Sequence, residues 1–431
     1  MAVETGLSAY HAAPAGRHGW RDAWCALVVR FRSLDILAAM TAASLPWSTT
    51  APAIFIGLWL IVLLPTIDWR GFVGDLSRPA CALPLAFVAL AIAGVAWSEG
   101  SWPESLRGIK PVLKLLLIPF LLYHFERSPR GAWVFVGFLG SCTLLMLLSW
   151  IVLFFPGFKI AATASAGVPV KNYIDQSQEF TLCAFALARP ALISFRERQA
   201  SAIGCLALLL TFVANMAFVV SARAALAYMP VLLAMFAWRY LDRRAMLALF
   251  ATAAMAAMLV WSTSPYQRQR VADIVTEYHG YESNTVASTA QRMEFWRKSV
   301  KFFADAPLFG HGTGATRRLF ERDALGQTGL SAEVTGNPHN QSLNVVVQWG
   351  LAGAMVLYAM WLSHLLLFRG DDPAAWIGLV VVVQNFVSSL FNSHLFDFHE
   401  GWIYVLGVGI AGGMSLGGRR ASRAVKQQVA K

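Results

Sequence analysis

Along residues 1–261 apolar runs alternate with short polar breaks, and the same rhythm returns after residue 340. A helix needs roughly 20 apolar residues to cross the hydrocarbon layer, within a range of about 17 to 25. The runs centre near Ala39, Leu60, Ala89, Leu117, Leu144, Phe185, Leu209, Leu232, Ala254, Val356, Val381 and Gly407. They predict twelve membrane spans, or eleven if the first, short and closed by Pro46, does not cross. Between the ninth and tenth, over residues 262–340, the long apolar runs stop and amphipathic stretches replace them. The expected fold is an all-α polytopic membrane protein with one large helical loop between late spans.

Composition agrees. Hydrophobic residues make up 57% of the chain and charged residues 14%, at a mean hydropathy of +0.54. Soluble domains are about 45–50% apolar and about 25% charged. Residues 1–33 hold no apolar stretch of the kind found in cleavable signals, so the first span is expected to direct insertion. The five cysteines, Cys25, Cys81, Cys142, Cys183 and Cys205, show no CxxC spacing and read as packing residues rather than a disulfide framework.

Orientation follows from the excess of Lys and Arg in cytoplasmic loops. With both termini cytoplasmic, twenty of the thirty-five basic residues fall in the even-numbered connections and tails, from Arg17 to Lys431. The short loops of the other side carry six, Arg107, Lys110, Lys114, Lys159, Lys171 and Arg223, and residues 262–340 carry nine. The expected organisation is a cytoplasmic segment 1–33, spans one to nine over 34–261, a periplasmic loop 262–340, spans ten to twelve over 341–417, and a basic cytoplasmic tail 418–431. This arrangement accounts for most of the net charge of +11 without a nucleic-acid partner.

Within the loop, residues 289–306 read as an amphipathic helix, with Arg292, Trp296, Val300 and Phe303 on one face. The helix breaks at Pro307 and the turn Gly310-His311-Gly312-Thr313-Gly314. An arginine on an apolar stripe either snorkels to lipid phosphate or faces a substrate. Arg223, in a short loop with apolar flanks, poses the same choice, and a weakly hydrated guanidinium fork suits phosphate in a partly dry site. Pro338-His339-Asn340 stands just before the tenth span, where the helix amino end disfavours imidazolium, so His339 is either a capping residue or a neutral general base. Lys171 and Tyr173 lie in the fifth-to-sixth loop, and His394, Asp397, His399 and Glu400 in the last outer loop. Asp397 is a candidate orienting partner for a histidine. The spacing of the acid and histidine residues matches no recognised zinc pattern, so no metal is expected.

Several chemistries have no signal. The turn at Gly310–Gly314 lacks the lysine of a phosphate loop, and no Asp-x-Asp pair occurs in an outer loop. Few charges stand near span centres, where ion-coupled transporters need them.

From about Ser288 to Gly353 the chain resembles the bacterial O-antigen ligase and polymerase superfamily. The resemblance is carried by Arg292, Trp296, Phe303, Pro307-Leu308-Phe309-Gly310-His311-Gly312, His339-Asn340, Leu343, Gly350 and Gly353. The span count and the place of the loop agree, and Ser221-Ala222-Arg223 is similar to an arginine site of that family. The resemblance implies a metal-independent, inverting glycosyltransferase of the C-type membrane fold, needing no cofactor and sited in the bacterial inner membrane. Its donor would be a glycan on undecaprenyl pyrophosphate and its acceptor a sugar hydroxyl of the lipid A core. It implies His339 as base and Arg223 and Arg292 on the pyrophosphate, with Asn340, Asp397, Lys171 and Tyr173 in support. Polymerase and protein-directed transferase share these motifs, and a flippase of lipid-linked sugars is the alternative of another class.

Overall fold

The computed structural model describes residues 20–163, 165–282 and 288–429. Arg17 and Lys431, used above for orientation, and part of the predicted segments 1–33, 262–340 and 418–431 lie outside the described residues. The described chain forms α-helices with short 3-10 turns and no strand. In order these are α1 (Trp20–Phe31), α2 (Ser33–Ser44), α3 (Thr50–Leu63), α4 (Trp69–Asp75), α5 (Pro79–Ala93), α6 (Trp102–Leu113), α7 (Leu117–Phe125), α8 (Gly131–Phe154) and α9 (Tyr173–Arg196). Then come α10 (Ser201–Phe218), α11 (Ala225–Tyr240), α12 (Arg243–Thr263), α13 (Pro265–Glu282), α14 (Ser288–Asp305), α15 (Thr316–Asp323), α16 (Gln341–Leu367), α17 (Pro373–Ser388) and α18 (Phe398–Val429).

Each of the twelve predicted centres falls on a helix, Leu117 at the first residue of α7. Length tells a different story. Among the described residues only α8, α10, α12, α16 and α18 are long and apolar enough to cross a membrane, or six spans if α3 and α4, bent by 115° at their junction, form one. Helices α2, α5, α11 and α17 are apolar but shorter. The fourth run is jointed, with α6 and α7 separated by a 3-10 turn at Lys114–Leu116, and α9 carries Asp175 and Glu179 near its start. Polar turns thus cut apolar runs that hydropathy alone reads as continuous.

The helices bury one large apolar core, including Trp59, Phe87, Trp349, Trp376 and Tyr404. Helix α18 lies close on α7 because it presents glycines there: a Cβ on Gly409 would meet Leu121 at 2.5 Å, and one on Gly413 would meet Phe125 at 2.7 Å. Small residues at such crossings let helices approach where lipid offers no hydrophobic drive.

The connections sort into two groups. In one, Lys171 bonds the Leu45 carbonyl and His399, Glu99 N–H donates to the His311 carbonyl (2.9 Å), and Gln341 N–H donates to the Ser389 carbonyl (2.9 Å). In the other, Arg78 pairs with Glu126 at 2.6 Å, Arg196 donates to the Tyr240 carbonyl (2.8 Å), and Ser415 donates to Asp372 (3.0 Å). Odd-numbered connections touch one another, and even-numbered ones do likewise.

The long polar segment is anchored by the motif around Pro307. Helix α16 is broken at Gly350, where φ is 57° and ψ −151°, a region open essentially to glycine alone. The turn 307–314 docks into that break: Leu351 N–H donates to the Pro307 carbonyl (2.8 Å), and His311 N–H and Gly312 N–H donate to the Val347 and Gln348 carbonyls (2.9 and 2.8 Å). A Cβ on Gly310 would sit 2.5 Å from the Gln348 backbone, and one on Gly350 2.5 Å from that of Leu308. The glycine-rich turn therefore splices the segment into α16. A small core of Phe295, Phe302, Leu319 and Phe320, closed by Val347 of α16, completes the attachment.

Candidate functional site

Helix α14 brings the site together. Its buried face is Ala290, Glu294, Phe295, Lys298, Ser299 and Phe302, a mixed set in which Lys298 donates to the Ser331 carbonyl (2.6 Å). The predicted apolar stripe is therefore not the face turned inward. Arg292, Trp296 and Phe303 are half-buried and Val300 is exposed. Glu294 and Lys298 on the inward face are paired within the segment, so that face need not be apolar.

One turn from Arg292, Phe295 stacks on the His339 ring with centroids 6.3 Å apart. His339 is half-buried and held in the left-handed region at φ 55°, with its N–H donating to Asn337 Oδ1 at 2.9 Å. Its Nδ1 lies 2.8 Å from Asn392 Oδ1, and Asn392 Nδ2 donates to Asp397 Oδ2 at 2.7 Å. A carboxylate oxygen only accepts, so the Asn392 amide nitrogen faces Asp397 and its oxygen faces His339. His339 Nδ1 then carries the hydrogen, and Nε2, which has no hydrogen-bond partner among the described residues, keeps its lone pair. Burial pushes the imidazole below its ordinary 6.5; the Asn392 bond raises it in part, and the charge of Arg292 lowers it further. The ring is neutral at pH 7, as a base requires.

The two arginines differ in state. Arg292 makes no ion pair or hydrogen bond among the described residues, and its charge acts on both His339 and Arg223. Burial lowers its pKa from the ordinary guanidinium value without threatening its charge. Arg223 is engaged: Nη1 and Nη2 donate to the two carboxylate oxygens of Glu277 at 2.8 and 2.7 Å, and Nη1 also donates to Thr289 Oγ1 at 3.2 Å. Asp273 stands 3.6 Å from Nη2. Hydrogen bonds from Arg223, set against burial and joined by those from Thr289, hold Glu277 down at about 2.

Helix α13 places those acids with a stripe of Tyr266, Arg270, Asp273 and Glu277 spaced four, three and four residues apart. Tyr266 Oη accepts from Ser221 N–H (2.9 Å) and donates to its carbonyl (3.0 Å), Arg270 donates to the same carbonyl (3.0 Å), and Gln267 donates to the Met216 carbonyl (2.8 Å) and Ser221 Oγ (3.0 Å). Tyr173 belongs to this group, its ring 4.6 Å from the Arg270 guanidinium.

Other expected residues go elsewhere. Asn340 caps α16, accepting from Leu343 N–H at 3.0 Å, and donates to the Leu390 carbonyl. Lys171 turns inward to Leu45 and His399, and His399 Nε2 sits 2.7 Å from Glu179. His399 and Glu400 stand in the first turn of α18, buried, rather than in a loop. His311 is structural, held between Glu99 and the Phe302 carbonyl. Asp397 reaches His339 through hydrogen bonds by way of Asn392, which, like Glu277 and Thr289, is a site residue not evident from the sequence. An asparagine between two candidate histidines, and an acid in helical register with Arg270, were the available signals.

His394, Asp397 and Glu400 bring potential ligand atoms within 4.8 Å of one another. Burial alone would push His394 down, but Glu400 and Asp397 outweigh it and hold it at about 9. The protonated imidazole and the two carboxylates pair with one another as an ion cluster.

A helical membrane-type fold thus carries a spliced-in polar segment that sets a half-buried histidine among neighbouring arginines. The family described as O-antigen ligase matches residues 206–359, which include Arg223, Glu277, Arg292 and His339. Over that segment the chain is similar to the O-antigen ligase family. No curated protein matches the chain.

Proposed function

We propose that the protein is an O-antigen ligase, moving a glycan from undecaprenyl pyrophosphate to a sugar hydroxyl of the lipid A core on the periplasmic face of the inner membrane, with both termini cytoplasmic. The observation that carries this reading is Arg292, unpaired among the described residues and acting electrostatically on both His339 and Arg223. This supports a reading in which a base and a phosphate-binding cation act on the same substrate.

In this reading the acceptor hydroxyl oxygen attacks the anomeric carbon while His339 Nε2 takes its proton. The bond from that carbon to the pyrophosphate oxygen breaks, its electron pair leaves with undecaprenyl pyrophosphate, and the configuration inverts. Arg292 and Arg223 neutralise the charge growing on the leaving group. Asn392 and Asp397 hold the imidazole in the tautomer that leaves Nε2 free. Asn340 and Lys171 support the site at a distance by fixing the start of α16 and the 155–172 loop, and Tyr173 by packing on Arg270. No step calls for a metal or cofactor.

The test is transfer by purified protein given undecaprenyl-pyrophosphate glycan and lipid A core, without nucleotide or divalent metal. Wild type should form product and His339→Ala little. Lengthened lipid-linked glycan, or glycosylated peptide, in place of labelled core would mark a polymerase or protein transferase. Inactivity with every acceptor would favour a flippase.

A further inference from the structure

Four donors converge on the Glu277 carboxylate. Besides the two from Arg223, Thr289 N–H donates to Oε2 at 2.8 Å and Thr289 Oγ1 at 2.6 Å. Thr289 is the second residue of α14, so its N–H belongs to the set that a helix leaves unpaired at its amino end. A guanidinium fork, a hydroxyl and a helix-start N–H form a receptor for a tetrahedral oxyanion, favoured further by the helix dipole. Arg292 stands one turn along the same helix with its charge unspent.

We propose that Glu277 occupies a phosphoryl subsite built from Arg223, Thr289 and the start of α14, and that the donor's pyrophosphate binds by displacing it. This rests on the pyrophosphate reading above and adds the residues at which the phosphoryl group exchanges. A carboxylate fills the fork bidentately but carries less charge and fewer oxygens than a pyrophosphate, so the exchange favours the incoming anion. Asp273, 3.6 Å from Arg223 Nη2, partly compensates the Arg223 charge while Glu277 is displaced. The exchange keeps Arg223 from binding stray anions weakly, and it ties donor arrival to movement of α13 relative to the Ser221–Arg223 loop. Glu277 stays ionised through the ordinary pH range, so the displacement is driven by ligand and not by proton.

The experiment is binding of undecaprenyl pyrophosphate to the full-length protein in nanodiscs, with thermal melts of every variant. Glu277→Gln keeps an oxygen for Thr289 but removes the competing charge, and should tighten binding about tenfold, or about 1.4 kcal/mol. Thr289→Val should weaken it severalfold, and Thr289→Ser should restore it. Should Glu277→Gln not fold, Asp273→Asn gives the same sign with a smaller gain. Weaker binding in Glu277→Gln would mean the acid merely positions Arg223, and unchanged binding in both variants would mean no exchange occurs; either overturns the proposal. His339-dependent glycan transfer alongside those results would leave the ligase reading standing. Tighter binding by Glu277→Gln with no transfer to any acceptor would keep the exchange and remove the ligase.

Discussion

His339 owes its competence to three neighbours that do different things. Phe295 fixes the plane of the ring, Asn392 fixes the tautomer, and Arg292 lowers proton affinity. Replacing His339 with Ala should cost about 10² to 10⁴ in transfer rate, the usual worth of a positioned general base. Asn392→Ala should give a smaller loss, in kcat rather than KM, because the ring then turns without leaving the site. The acid limb of the pH–rate profile should lie below 6.5, since the folded pKa is depressed and the base form survives to lower pH. Arg292→Ala removes a cation beside the ring, so the limb should move to higher pH, whereas Arg292→Lys should leave it in place. A limb unmoved by Arg292→Ala would separate the arginine from the histidine. His339, Arg223 and Arg292 were legible as residue types beside a span or on an apolar stripe. Their states were not, because pairing with Glu277 or freedom from any partner depends on groups 54 residues away or more.

At the scale of elements, the break in α16 decides where the long segment sits. Gly350→Ala would place a Cβ 2.5 Å from the Leu308 backbone in a conformation that suits glycine. A loss of about 1–3 kcal/mol is expected from the backbone alone, read as a lower melting temperature in detergent, with transfer falling in step. The start of α14 and the cap at Asn340 were readable from local chemistry, because amphipathic period and capping are short-range. Which face of α14 turns inward was not, since Lys298 and Glu294 become interior residues only through partners on α15 and the 324–340 connection. The glycines of 310–314 carried a similar ambiguity, resolved when their N–H groups met the carbonyls around Gly350.

Across the whole molecule, two buried charge clusters stand behind the site, one around His394, Asp397 and Glu400, the other around Lys171, Glu179 and His399. His394 has a folded pKa raised to about 9 from an ordinary 6.5. Its contribution to stability is therefore complete below about 6.5 and lost as pH rises through about 9. Thermal stability measured across that window should fall, and His394→Gln should flatten the fall; an equal slope in both proteins would place the titration elsewhere.

The sequence by itself determined an apolar, helical, membrane-type chain, a late polar segment, and two sets of loops that differ in basic charge. Each of these follows from local composition and period, which neighbouring residues settle among themselves. Only the tertiary structure decided that α16 is broken to receive the segment, that Asn392 stands between His339 and Asp397, and that Glu277 fills the Arg223 fork. Those depend on contacts between distant parts of the chain, and an ion pair or a hydrogen bond exists only once packing has brought both partners within about 3 Å.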